Sequence, residues 1–350
     1  METMPMNAGR APSTDGVSAA ETNGPASRRR FRLITRSDMD GLVCAVLLQE
    51  LDLVDRIEFV HPKDMQDGRI EVGPDDITTN LPYVPGVHLA FDHHASEVER
   101  AEVSAANHVI DAKAPSAARV VYDYFGGAAR FPNVSAAMMR AVDKADSAAF
   151  ERTDVLDPKG WELLSFLMDA RTGLGRFRQF TVSNYQLMMD LIDYCRTSPS
   201  IEDILALPDV AERVDLFFAH EERFKDQLRR CTTMQGPLAV LDLRDEEQIW
   251  PGNRFMIYAL FPRAKISCHV LWGREKQNTV LALGKSIFDR TARTDIGALC
   301  LAHGGGGHDA AGTCQIANEN ADRVLAEICA QIVAEESEPA APPVRASAEP

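Results

Sequence analysis

From Phe31 to Asp146 short apolar runs alternate with apolar helical stretches, and that alternation limits the fold more than any other feature of the chain. Phe31–Thr35, Ile57–Val60, Asp75–Asn80, Val87–Phe91 and His108–Asp111 read as five short strands. Leu42–Leu51 reads as a buried helix. Ala117–Phe125 reads as a second, capped by Ser116 and stopped by Gly126 and Gly127. Ser135–Asp146 reads as a third, with Met138, Met139 and Val142 on one face. Strands interleaved with helices predict an α/β fold whose parallel sheet is covered on both faces. In such a sheet ligands collect at the carboxyl ends of the strands.

Polar residues stand at those ends. Arg36-Ser37-Asp38-Met39-Asp40-Gly41 joins the first strand to its helix. Asp38 and Asp40 are two residues apart, so both carboxylates can reach one hard divalent cation. A helix cap explains one aspartate but not two. Gly41 lets the backbone turn tightly into the helix. The fourth strand ends in Asp92-His93-His94, and successive strand residues point to opposite faces. Asp143-Lys144-Ala145-Asp146 closes the third helix. An acid at that end opposes the helix dipole and asks for a compensating charge.

The remainder suggests a second lobe. Residues 161–233 are helical in pattern and form a connector with its charged face in water. Leu238–Leu241, Phe255–Leu260, Ile266–Leu271 and Val280–Leu283 read as strands, and Asp295–Ala302 as a helix. Four consecutive glycines, Gly304, Gly305, Gly306 and Gly307, follow, flanked by His303 and His308. Successive N–H groups in such a loop can form an anion-binding nest. Val324, Leu325, Ile328 and Ile332 fall at helical spacing. Residues 1–29, ending in a basic run from Arg28, and residues 336–350 have the composition of disordered tails. The expected division is 30–160, 161–233 and 234–335.

A formal net charge of −15 disfavours broad binding to duplex nucleic acid but leaves room for a local cationic pocket. Seven cysteines without CxxC pairs, no signal-peptide core and no membrane-length apolar run together predict a cytoplasmic location and no membrane association.

Asp38-x-Asp40-Gly41, Asp92-His93-His94, Asp146 and Gly305-Gly306-Gly307-His308-x-Ala310-Ala311-Gly312, in that order, resemble the DHH phosphoesterase superfamily with a DHHA1-type C-terminal domain. The resemblance covers about residues 31–335. That superfamily includes RecJ-type exonucleases, nanoRNase-type oligoribonucleases, cyclic-di-AMP phosphodiesterases and exopolyphosphatases, and the chain looks closest to exopolyphosphatase-related members. The resemblance implies a two-lobed hydrolase with a Rossmann-like N-terminal domain and a smaller α/β domain. It implies Mn²⁺ or Mg²⁺, one or two ions, acting on a water and on the phosphoryl oxygens. Asp38 would hold the first ion, and Asp40, His93 and Asp146 the second. Asp92 would orient His93 or join the site directly, and His94 would face the phosphate or the leaving group. Gly304–Gly307 and His308 would hold a terminal phosphate or nucleotide, with Lys285, Ser286 and Arg290 as further contacts.

Two positions depart from the pattern. Arg36 stands where the family carries a histidine (Ile34 in the other common spacing), and Asn80 where it carries a metal-bridging aspartate. Both changes fall on the first metal position. The expectation is a weak or missing first site, Arg36 supplying positive charge near the phosphate, with Asp64 and Asp67 as conceivable substitute ligands. The substrate expected is small and phosphorylated: polyphosphate, a nucleotide or a short single-stranded oligonucleotide. A homodimer is compatible with this reading. A non-catalytic member that senses a phosphorylated ligand is the alternative.

Overall fold

The structure, a computed structural model, describes residues 29–94, 105–197 and 200–337. Residues 1–28, including Arg28, and 338–350 lie outside the described residues, so the tails expected there are not addressed. Arg29 and Arg30 pair with Asp75 and Asp52, which makes this end of the basic run a flank of the first sheet.

The N-terminal sheet holds β1 (Phe31–Thr35), β2 (Val54–Phe59), β3 (Asp76–Thr79), β4 (Leu89–Asp92) and β5 (His108–Ile110) in the order β2-β1-β3-β4-β5. Every pairing is parallel. The order reverses between β1 and β3. At that switch point the segments leaving the two strands diverge and open a crevice, and these segments carry Asp38 and Asn80.

Helix α1 (Met39–Glu50) is buried from Met39 to Leu48. It packs against β1 and β2 and against α3 (Ala117–Tyr124) and α4 (Ala136–Asp146). Burial of Leu42, Val43, Val46, Leu47 and Leu48 contributes about 1.5–3 kcal/mol each, enough to hold the helix start rigidly under the site. Gly41 has a reason other than a tight turn: a Cβ on it would lie 1.9 Å from the Arg36 carbonyl oxygen and 2.8 Å from Thr35 Oγ1. Backbone passes where any side chain would sit. Gly41→Ala is therefore expected to destabilise the protein by about 1–3 kcal/mol or more through overpacking, read as a lower urea midpoint at unchanged m-value.

Short α2 (Pro62–Gln66) follows β2. After α4 come α5 (Arg152–Leu156), α6 (Gly160–Met168), α7 (Asn184–Arg196), α8 (Ile201–Leu205), α9 (Pro208–Ala219) and α10 (Glu221–Cys231). In this bundle Arg213 is almost wholly buried yet fully engaged, donating to Asp209 O, Val182 O, Asn184 Oδ1 and Glu212 Oε1.

The second sheet is mixed. It holds β6 (Thr232–Gln235), β7 (Leu238–Asp242), β8 (Ile266–Trp272), β9 (Thr279–Lys285), β10 (Gly306–His308) and β11 (Ala311–Ile316) in the order β10-β11-β9-β8-β7-β6. Only β7–β8 is parallel. Helices α12 (Ile296–Ala302) and α13 (Ala321–Ser337) add Ile296, Leu299, Cys300, Val324, Ile328 and Ile332 to its core.

Three expectations change here. Phe255–Leu260 forms a helix, α11 (Met256–Leu260), not a strand. A six-residue apolar run does not separate the two by periodicity. The decision lies outside the run, where Asn253 Oδ1 accepts from Phe255 N at 2.9 Å and Asn253 O from Met256 N at 3.0 Å. Thr232 and Thr233 leave the helical segment to open β6, turned back by Gly236 at φ 58°. The last helix runs to Ser337, past 336, because Glu336 accepts from the backbone of Arg293 and Thr294.

The lobes share an apolar junction. Phe150, Val155 and Phe166 pack with Leu228, Phe255, Ile257 and Tyr258. Arg152 donates to Ala259 O at 2.6 Å, Gly252 N to Thr172 O at 3.0 Å, and Arg290 to Ala148 O at 3.0 Å. Arg290 is thus tied to a carbonyl just beyond the end of α4. No helix among the described residues is long and apolar enough to cross a membrane.

Candidate metal centre

Three elements place the three side chains that converge. Asp40 sits in the first turn of α1 and is buried. His93 follows β4 directly, and Asp146 is the last residue of α4. One ligand atom from each lies within 4.8 Å of the other two. Asp92, His93 and His94 form a second such group. Both belong to one centre, since His93 is in each.

Asp40 does not cap its own helix. Its Oδ2 and Oδ1 accept from Ala117 N at 3.0 Å and Ala118 N at 2.8 Å, the first backbone donors of α3. Those bonds fix the carboxylate and leave lone pairs on both oxygens. Asp38 is the cap of α1, accepting from Gly41 N at 3.0 Å.

His93 Nδ1 lies 3.2 Å from Ala114 O. A carbonyl only accepts, so Nδ1 carries the proton and Nε2 presents the lone pair in the neutral ring, the arrangement of a metal-ligating histidine. Nε2 sits 2.7 Å from Asp146 Oδ2. This imidazole is also the compensating charge that an acid at the end of α4 requires. Asp92 does not orient His93 by its ring: Asp92 Oδ1 accepts from His94 Nδ1 at 2.7 Å and from His93 N at 2.8 Å. His94 is therefore the ring that Asp92 aims, with Nδ1 held and Nε2 left for other contacts.

The acids of the centre crowd one another and one imidazole. Burial, then Asp146 and Asp38, pushes the Asp40 carboxyl well above its ordinary range against the pull of His93. Burial also raises Asp38, opposed by Arg36. Burial alone would lower His93, but Asp146, Asp40 and Asp92 outweigh it and lift the imidazole to about 9. Buried Asp92 Oδ2 and Asn80 Oδ1 have no hydrogen-bond partner. Crowded acids with unpartnered ligand atoms fit a hard or borderline divalent ion.

Asp38 stands apart from both groups. Arg36 Nε approaches its Oδ2 at 3.0 Å, and Asn80 Nδ2 donates to its Oδ1 at 3.2 Å. Asn80 sits at φ 55°, a left-handed conformation asparagine tolerates well. The Asp38 carboxylate is thus engaged by a guanidinium and an amide. Asp64 and Asp67 do not reach the centre groups; they pair with Arg69 and Lys63 on the surface.

From the other lobe, His308 ends β10 with Nδ1 accepting from Ala310 N at 3.2 Å, which leaves Nε2–H free to donate. Enclosure, then the charges of His94, Arg254 and Arg171, hold its imidazole below the ordinary value. Two N–H groups of the glycine run are engaged within the fold. The N–H groups of Gly304 and Gly305 bond to Leu301 O and Cys300 O at the end of α12. At Gly307 a Cβ would meet Ala311 O at 2.2 Å, so close strand pairing demands the glycine. Lys285 Nζ bonds to Asp309 Oδ1 at 2.8 Å, beside His308. Ser286 Oγ is engaged locally, accepting from Phe288 N and Asp289 N.

Residues absent from the sequence reading pair across the two lobes. Asp169, at the end of α6, accepts from Arg171 at 2.7 Å and faces Arg254 of the other lobe at 3.4 Å. An Asp-x-Arg break after an apolar helix is the only local signal, and nothing local joins Arg254 to it.

No protein-family model and no curated protein sequence matches the chain. Among solved structures it is similar to PggH, a pGpG-specific phosphodiesterase from Vibrio cholerae, with 57% identity over 87% of this chain and 100% of that one, at a TM-score of 0.75. It is similar in fold to RecJ of Thermus thermophilus in complex with Mn²⁺, with 14% identity over 87% of this chain and 52% of that one, at a TM-score of 0.50.

Proposed function

The chain belongs to the DHH phosphoesterase superfamily as a hydrolase of phosphoester bonds, and from that premise we propose that it cleaves the phosphodiester of a short 5′-phosphorylated dinucleotide, pGpG or a close analogue, with a divalent cation. The observation that carries the reading is the similarity to the pGpG-specific enzyme over that protein's whole length. Water adds to the bridging phosphorus, the P–O3′ bond breaks, and two nucleoside 5′-monophosphates result.

Asp40, His93 and Asp146 would hold one Mn²⁺ or Mg²⁺, with Asp92 Oδ2 and Asn80 Oδ1 as further oxygen donors. A bound ion there would acidify water and polarise the phosphoryl group. The protein's own groups do the rest. His94, held on Asp92, moves a proton through Nε2 to or from the reacting oxygens. His308 Nε2–H donates to a phosphate oxygen from the opposite lobe. Arg36 adds fixed positive charge where the first ion of relatives would sit, which favours one ion over two.

Arg36 on Asp38 also favours the second reading, a non-catalytic sensor. A substrate panel of pGpG, pApA, 3′,5′-bisphosphates and polyphosphate with Mn²⁺ decides between them. Release of nucleoside monophosphates from pGpG, with at least tenfold lower kcat/KM on polyphosphate, is expected, and chelation abolishes it. Binding of pGpG without turnover under any divalent cation would transfer the assignment to a sensor.

A further inference from the structure

The metal centre accounts for the bridging phosphate of such a substrate but leaves its terminal phosphate without partners. Asp169 Oδ1 accepts from Arg171 N at 2.9 Å and Arg171 Nε at 2.7 Å, and its Oδ2 lies 3.4 Å from Arg254 Nε. Two guanidiniums share one carboxylate, a local surplus of positive charge in a chain of net charge −15. Arg254 is mostly buried, its Cζ 4.0 Å above the Phe255 ring, and its buried Nε has no hydrogen-bond partner of good geometry. The Arg171 side chain is half exposed.

The pair borders the loop that carries Asp38: Asp169, which holds both arginines, lines one cavity with Ser37. Asp38 and Asp146 both act on the Arg171 charge, and His308 senses Arg171, Arg254 and His94 together. Burial, and after it the neighbouring Arg171 charge, depress Arg254 to about 10. Forked guanidiniums suit a phosphate bidentately, and a terminal monoester carries more negative charge than a bridging diester.

Resting on the function proposed above, we propose that Arg171 and Arg254, spread on Asp169, bind the terminal phosphate monoester of the substrate and so select a 5′-phosphorylated dinucleotide over the same dinucleotide without that phosphate. The lobes act jointly in this selection, because Arg171 comes from the connector and Arg254 from the second lobe.

The test compares kcat/KM for pGpG and GpG with Mn²⁺ in the full-length wild type, Arg171→Gln, Arg171→Lys and Arg254→Lys. Wild type should prefer pGpG. Arg171→Gln should lower the pGpG-to-GpG ratio about ten- to hundredfold, chiefly through the KM for pGpG, and Arg171→Lys should restore part of it. Arg171 is half exposed, so folding is not at stake, and Arg254→Lys provides an independent check from the other lobe. Equal losses on both dinucleotides, or a wild type indifferent to the terminal phosphate, overturns the inference while leaving the phosphodiesterase reading intact. A wild type inactive on both removes the reading itself, and the inference with it.

Discussion

His93→Ala is expected to reduce Mn²⁺-dependent cleavage of pGpG by about a thousandfold or more, the effect of losing several kcal/mol of cation-borne stabilisation. His93 is the residue common to both ligand groups, and its lone pair is aimed by Ala114 O. Without it, buried Asp40 and half-buried Asp146 stand close together with no imidazole between them. Binding of the cation should weaken in parallel. The rise in Tm that Mn²⁺ produces in the wild type should shrink or vanish in the variant, since a ligand stabilises a fold only in proportion to its occupancy. A variant with full activity and an unchanged Mn²⁺-induced Tm rise would remove His93 from the centre.

Asp92→Asn comes next, with an expected loss of about a hundredfold or more in kcat. Its Oδ1 positions three donors at once, His94 Nδ1 and the backbone N–H groups of His93 and His94. Asparagine can keep that acceptor in place, so the fold and the strand end should survive. What disappears is the negative charge that stabilises a protonated His94 and the unpartnered Oδ2 facing the site. The loss should therefore fall on kcat more than on KM. A loss confined to KM would place His94 in binding and not in proton transfer.

The N-terminal sheet was legible because its signals are local. Apolar runs separated by capped helices specify strands and crossovers, and Ser116 and Ser135 cap the helices they announce. The residue types that gather at the centre were also legible, since Asp40, His93 and Asp146 each stand at an element end. Their wiring was not. Asp40 serves α3, seventy-seven residues on, and no sequence pattern encodes that distance. Ala114 contributes a carbonyl, which every residue has. Phe255–Leu260 failed for another reason: a short run buried on all sides has no period to read, and Asn253 outside it settles the matter. The glycines at 304–307 do not separate close backbone packing from an anion nest in the sequence, because both uses need the absent Cβ; the structure shows the close packing at Gly305 and Gly307. The Arg171–Asp169–Arg254 group spans two lobes, so it exists only after folding.

Dependence on a single divalent ion is tested most directly with protein stripped of metal and offered pGpG while Mn²⁺ is titrated back, released GMP and bound manganese being followed together. No turnover is expected at the start, with a rise to a plateau as one Mn²⁺ per chain is taken up. Turnover of pGpG by the stripped protein at the rate of the reloaded one would contradict a metal-dependent centre.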